Sequence, residues 1–584
     1  MSVKRLNIPV SSLHPFNRDF FGSEEVVSYI GSGVIGGKAS GLAFAKDIIA
    51  SRFTGGRFRN IAITIPRLVV IATDVFDRFL QRNGLANLDF AELSDTYVAH
   101  LFQRAEFPAE EVGNLRALIE TVRTPLAIRS SSLLEDAMYE PFAGVYETKM
   151  IPNNQPDADT RFRRLLEAIK FVYASVYFRG ARDYVAAVGR SVRDEKMAVI
   201  IQEVIGRRHG NRFYPDLSGV ARSHNFYPMG WAKPEQGVVD LALGLGKTIV
   251  DGGTAWSYSP AYPKVNPPVG SVRELLRQTQ TEFWAVNLGA PSAHDPVRET
   301  EYLVKGSLTD AEYDGTLRFI ASTYRPEDDR LVMGTGPEGP RVITFAPILQ
   351  GNDFPLNALA IDLLKACEAA VECDVEIEFA MTLDAKQELP ARFGFLQVRP
   401  MVVSQSRIEV KPEEMAGANL LIASERVLGN GLIDTLVDIV YVQPEGFEAK
   451  YTKQIAAELE TINREVVASG RLYLLIGFGR WGSSDPWLGI PVDWGQIAGA
   501  RVIVEATLPD MDVELSQGSH FFHNLTSFQV CYFAVHHAGQ YRMNWEWLER
   551  QPEIMRTRFV RHVRVDHPLT VKVDGRTGRG VIQI

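Results

Sequence analysis

Cysteine is scarce: Cys367, Cys373 and Cys531 are the only three in 584 residues. An odd, sparse set builds no disulfide framework, and Cys367 and Cys373 lack the spacing and partners of a zinc site. All three are expected as reduced, mostly buried thiols. No stretch approaches the ~20 uninterrupted apolar residues of a spanning helix. The opening residues lack the apolar h-region of a signal peptide. A cytoplasmic location is therefore expected, with no membrane partner. Basic excess is missing too. The formal net charge is −9, which argues against a nucleic-acid or anionic-lipid surface. There is no fixed-period repeat and no low-complexity tract. What remains is an ordinary globular composition, 46% hydrophobic and 23% charged, with room for three or four folding units of roughly 100–200 residues.

Strand-like apolar runs alternate with helical patterns along the chain. Leu42, Phe44, Ala45, Ile48 and Ile49 recur at helical spacing over residues 41–51. Residues 61–73 read as one extended run rich in β-branched side chains. Residues 125–131 read as a buried strand entering a polar loop, 162–177 as an amphipathic helix, and 197–204 as an apolar strand. A long helix is predicted over 272–285. Residues 374–382 and 393–398 read as neighbouring strands. Residues 404–418 are polar and mark a boundary. Beyond them a helix is predicted over 451–468 and a strand over 472–476.

Five segments carry chemistry-bearing residues, and each taken alone also reads as ordinary structure. GGKASGL at 36–42 precedes a helix, so its glycines suit close backbone approach to a phosphate and Lys38 supplies a cation. Arg129 opens a run of three serines, and its planar fork suits phosphate oxygens. Phe142–Ala143–Gly144 downstream offers a cover. Gln202 and Glu203 end an apolar strand, placed to present groups to an adenine edge. LGLGKT at 243–248 offers Gly244 and Gly246 in a glycine turn whose spacing is not that of a Walker loop. Finally, Glu376 and Glu378 lie two apart on a strand, hence on one face. Paired carboxylates there suit magnesium, which takes oxygen ligands and bridges to phosphates. Gln397 and Arg399 share the same i, i+2 relation on the following strand.

The order of these segments resembles the nucleotide-binding domain of the phosphoenolpyruvate synthase and pyruvate phosphate dikinase family, which includes rifampin phosphotransferase. GGKASGL is similar to the family's GGK start. IRSSSLLEDAMYEPFAGVYET is similar to its RSS…ED…FAG…ET pattern, and SGV, GLG and EIEF…LQVRP follow in order. The resemblance covers residues 34–401. It implies an α/β (α+β) fold: an ATP-grasp of two subdomains, 1–215 and 216–403, followed by a C-terminal α/β domain, 404–584, whose role is open. It implies ATP and Mg2+ as cofactors. Lys38 and Arg129 would contact phosphates, and Gln202 and Glu203 would lie near the adenine, with Gly244 and Gly246 also on the nucleotide. Glu376 and Glu378 would sit at the metal end, and Gln397 and Arg399 near the transferred phosphate. Arg129, Arg399 and Glu378 are thus the catalytic candidates.

Two family features have no counterpart here: the phosphohistidine motif and the barrel that binds pyruvate or phosphoenolpyruvate. About 180 residues follow Met401, fewer than such a barrel needs. QGSHFFHN at 517–524 offers His520 as an acceptor nucleophile, or else as a turn histidine. Arg480, Ser483, Ser484 and Asp485 lie in a glycine-rich turn that suits either an acceptor or tight packing. The expected activity is phosphoryl transfer from Mg-ATP to a histidine, a small molecule or a partner protein. The alternatives are an ATP sensor and one subunit of a split dikinase; homo-oligomerisation is left open.

Overall fold

A computed structural model describes residues 13–584 apart from 54–57, 59, 133–144, 188–190, 226–231, 252, 266–271, 273–274, 277–278, 290–293, 352, 384–390, 402–407, 418, 484, 512, 514, 517–524, 526–529 and 576. The chain divides into two compact units. One comprises residues 1–138, 146–178 and 193–401; the other comprises 139–145, 179–192 and 402–584. Helices and mixed sheets make up both, an α+β organisation that is ATP-grasp-like in the first unit.

The first unit holds two six-stranded mixed sheets. One runs His14–Pro15, Val27–Ile30, Leu68–Ile71, Met197–Glu203, Leu126–Ser132, Thr148–Ile151. The other runs Trp256–Tyr258, Val238–Ala242, Leu217–Arg222, Val375–Thr382, Ala391–Pro400, Ile61–Thr64. A core containing Leu42, Val70, Ile200, Leu241, Phe379 and Val398 spans both. The extended run at 61–73 is in fact two strands in different sheets. Pro66, which offers no N–H to a ladder, stands in the break. Ile61–Thr64 pairs parallel with the Ala391–Pro400 strand, whereas Leu68–Ile71 pairs with Val27–Ile30 and Met197–Glu203.

Three local readings change. The first helix is Gly36–Arg52, so GGK forms its first turn rather than a loop before it. The three serines after Arg129 continue the strand, and Ser130, Ser131 and Ser132 are fully buried. The helix predicted over 272–285 is overturned at its end: Glu282–Asn287 is a strand paired with Leu303–Ser307, consistent with its Phe-Trp-Ala-Val run. The helices Ala158–Ser175 and Thr452–Ala468 form where the apolar spacing placed them.

The second unit is built on a nine-stranded sheet. Its centre is a parallel block of Gly431–Val442, Tyr473–Phe478, Ala500–Ala506 and Cys531–Val535. The strands Val560–Asp574, Arg579–Gln583 and Leu420–Ser424 extend it antiparallel. Two buried carboxylates gather donors: Asp438 Oδ1 accepts from His562 at 2.7 Å and Arg564 at 2.9 Å. Glu505 accepts from Trp481 N, Ser516 N and Tyr532 OH. No helix among the described residues is long and apolar enough to cross a membrane.

Candidate nucleotide site

Arg129 joins the two sheets of the first unit. It leaves the Leu126–Ser132 strand, and its guanidinium ends against the other sheet. Nη1 donates to Leu396 O at 2.9 Å and to Gln202 Oε1 at 3.4 Å. Nη2 donates to Gln397 Oε1 at 2.6 Å and lies 3.3 Å from Glu378 Oε2. The Leu396 carbonyl is available for a reason of register. Glu378 pairs with Gln397 and Phe379 with Phe395, so Leu396 is the extra residue of a β-bulge. The bulge turns one backbone acceptor out of the ladder and toward Arg129.

The helix Gly36–Arg52 is stitched to the same strand. Ser131 Oγ donates to Ile35 O at 2.8 Å and accepts from Ala39 N at 3.1 Å; Lys38 Nζ donates to Ser130 Oγ at 3.2 Å. Two glycines permit this approach. A Cβ on Gly36, whose φ is +75°, would fall 1.8 Å from Ser131 O, and one on Gly41 would fall 2.8 Å from Val398 O. Upstream, Asp74 accepts from Ser32 N at 2.9 Å and Gly33 N at 2.8 Å and so clasps the loop entering the helix.

Glu376 and Glu378 share a face of their strand but not an environment. Glu376 is buried, with 2% exposure. Its Oε2 accepts from Arg222 Nε at 2.6 Å, and its Oε1 accepts from Arg399 Nε at 2.8 Å, with Arg399 Nη2 at 2.7 Å. Glu378 is a quarter exposed and faces Arg129. Gln202 and Glu203 diverge, as successive strand residues do: Gln202 is buried beside Arg129, while Glu203 accepts from Thr124 Oγ1 at 2.8 Å. Gly244, with φ +81°, shapes the turn after Val238–Ala242, where Ser218 Oγ holds its carbonyl at 2.7 Å. Gly246 caps the short helix Lys247–Val250, whose Lys247 meets Glu299 at 2.8 Å and Asp251 at 3.1 Å. Burial, with the nearby Glu299 carboxylate, pushes Glu147 up to about 7.

Sequence reading missed Arg222 and Asp240, which meet at 2.6 Å. The available signal was a charge at the end of the otherwise small and apolar run SGVA. Among the described residues no three of His, Cys, Asp and Glu come together as a metal-holding group. His520, Ser484 and Phe142–Ala143–Gly144 lie outside the described residues.

Two mixed sheets bridged by an arginine, with a glycine-started helix laid on the bridging strand, give the first unit an α+β, ATP-grasp-like fold. The family model of the pyruvate phosphate dikinase AMP/ATP-binding domain matches residues 32–419, and the chain belongs to that family. It is similar to an uncharacterized phosphotransferase, YvkC, of Bacillus subtilis, at 23% identity over 43% of this chain and 27% of that protein. It is also similar to the phosphoenolpyruvate synthase of Aeropyrum pernix, at 23% identity over 38% of this chain and 26% of that protein. The matches therefore span about a quarter of each relative's length.

Proposed function

We propose that the chain is an ATP-dependent phosphotransferase that binds Mg-ATP against Lys38, Arg129 and Arg399 and passes a phosphoryl group to an acceptor. The observation that carries this reading is the Arg129 bridge: one guanidinium engages the Glu378 carboxylate of one strand of the opposite sheet and two amide-type oxygens, Leu396 O and Gln397 Oε1, of the strand beside it. Family membership supports the nucleotide. The names of the two relatives, a phosphotransferase and a phosphoenolpyruvate synthase, support the reaction class.

In this reading positioning and charge neutralisation do most of the chemical work, as phosphoryl transfer requires. Lys38, at the N-terminal turn of its helix, and Arg129 balance the phosphate charge. Arg399, steered by Glu376, stabilises charge developing on the transferred group. Glu378 Oε2 and Gln397 Oε1 face the same guanidinium, an oxygen-donor set that fits magnesium, which commonly takes one or two protein oxygens and completes its shell with phosphate and water. Magnesium there would supply further neutralisation of the phosphates. The acceptor is His520, a small molecule, or a partner protein.

Incubating the chain with ATP labelled at the β or the γ position tests the reading. ADP as product supports simple kinase chemistry, and AMP plus phosphate supports dikinase chemistry. Label retained on the chain and lost in His520→Ala assigns the acceptor. Tight binding without turnover, even with cell extract added, overturns the transferase reading in favour of a sensor. Turnover appearing only with extract points to a split system.

A further inference from the structure

Arg222, Glu376 and Arg399 stand directly opposite one another on three adjacent antiparallel strands. Directly opposed side chains on one face of such a sheet are close neighbours. This row alternates in sign. It continues diagonally, because Asp240 accepts from Arg222 Nη1 at 2.6 Å and from the Ser257 hydroxyl. The line Ser257–Asp240–Arg222–Glu376–Arg399 thus crosses five strands. Its two cations and two anions cancel. The middle of the line is dry: Arg222 is 6% and Glu376 2% exposed. Charges are buried this deeply only when paired on every side.

The orientation within the row is specific. Arg222 takes Oε2 of Glu376 through Nε, which leaves Oε1 to receive the Nε and Nη2 edge of Arg399. Glu376 therefore grips the Nε–Nη2 edge of the Arg399 guanidinium, and the plane of that edge is set from the far side of Glu376. In the next row along the same strands, Glu378 stands opposite Gln397, the two groups that meet Arg129. Both oxygens of Glu376 are engaged by arginine.

We propose that Arg222 is a positioning residue of the nucleotide site: it fixes Glu376 as the rest for Arg399, so that Arg399 meets the terminal phosphates in one orientation, and Glu376 serves this alignment instead of binding metal. This rests on the phosphotransferase reading above. Arg222 touches no phosphate itself. Its loss lets Glu376 rotate with Arg399, so the effect falls on the terminal phosphates and spares the adenosine end.

The experiment uses the full chain and measures Kd for ATP and for AMP by equilibrium dialysis, with a Mg2+ titration of ATP binding, in wild type, Arg222→Met, Arg222→Lys and Asp240→Asn. Arg222→Met is expected to weaken ATP by about tenfold or more, the scale of one misaligned charge-assisted contact. AMP affinity and the Mg2+ midpoint are expected to stay at wild-type values. Arg222→Lys should recover part of the loss. Asp240→Asn, which keeps both arginines, should shift ATP in the same direction by less, and it carries the test if Arg222→Met does not fold. Equal weakening of ATP and AMP, or no change in their ratio, overturns the proposal and leaves Arg222 a structural ion pair. A shifted Mg2+ midpoint in Arg222→Met overturns the assignment of Glu376. Failure of the wild-type chain to bind Mg-ATP overturns the phosphotransferase reading itself, and with it this one.

Discussion

Replacing Glu378 by glutamine separates catalysis from folding at this site. Its carboxylate lies 3.3 Å from Arg129 Nη2, with the two side chains 25% and 13% exposed. At an effective dielectric near 20, two unit charges at that separation attract by about 5 kcal/mol before desolvation. Most of that is offset, because the carboxylate is partly hydrated and the guanidinium has other acceptors on Gln397, Leu396 and Gln202. Glutamine is nearly isosteric and keeps an oxygen for Nη2. The expected loss of folding stability is therefore about 1 kcal/mol or less. Turnover should respond differently. If Glu378 helps hold the magnesium that neutralises the reacting phosphates, its removal should lower kcat by about 10²- to 10³-fold, the usual scale for losing one element of transition-state charge stabilisation. The assay is release of labelled product from ATP across a magnesium titration, paired with urea unfolding of both proteins. Wild-type turnover in Glu378→Gln would remove the carboxylate from the mechanism. A loss of several kcal/mol of stability would show that the pair holds the sheets together and does not serve chemistry.

Three other perturbations follow from the same geometry. Gly36→Ala places a methyl on the Ser131 carbonyl at a positive φ, so it should cost about 2 kcal/mol or more in urea unfolding and weaken ATP binding by shifting Lys38. The Lys149 side chain, 1% exposed, meets Glu301 at 2.7 Å, Pro296 O at 2.8 Å and Arg298 O at 2.9 Å; Lys149→Met takes the lysine cation from the buried Glu301, which keeps its bond from Asp295 N, and should cost about 3 kcal/mol, with part recovered in the Lys149→Met, Glu301→Gln double variant. Glu147 titrates near 7 in the fold against 4.5 for its ordinary value. The folded state holds this proton more tightly, so the contribution is fully present below about pH 4.5 and is lost as pH rises through 7. Unfolding of wild type and Glu147→Gln at pH 5 and pH 8 should show the variant gaining relative stability at the higher pH, and parallel pH profiles would refute the burial argument.

Much of the candidate site could be read from strand periodicity. The i, i+2 spacing of Glu376 with Glu378, and of Gln397 with Arg399, is enough to put each pair on one face of its strand, and the apolar residues around them mark both runs as strands. That reading holds because side-chain alternation is a property of a single chain segment. The pairing of Glu376 with Arg399 needed only one further step, the adjacency of two consecutive strands. Arg222 was harder. Its partner lies 154 residues away, and nothing in its own segment says which strand will lie beside it. The helix predicted over 272–285 ran too far for a related reason: short-range spacing does not reveal that Leu303–Ser307 will pair with Glu282–Asn287 and impose extended backbone there.

The sequence by itself determined the order of the nucleotide-binding segments, the family they belong to, and which charged residues share a face. These depend on residue type and local spacing. Tertiary structure alone decided what each charge meets. It broke the 61–73 run at Pro66 and gave its halves to different sheets. It buried the three serines, bonding Ser130 and Ser131 to the helix that carries Lys38 and its entry, and through the bulge at Leu396 it turned a carbonyl toward Arg129. It also divided two chemically identical carboxylates, enclosing Glu376 between Arg222 and Arg399 and leaving Glu378 toward Arg129 and solvent. The physical reason is that a charge acquires its role from partners brought across strands, and register between distant strands is a property of the whole sheet.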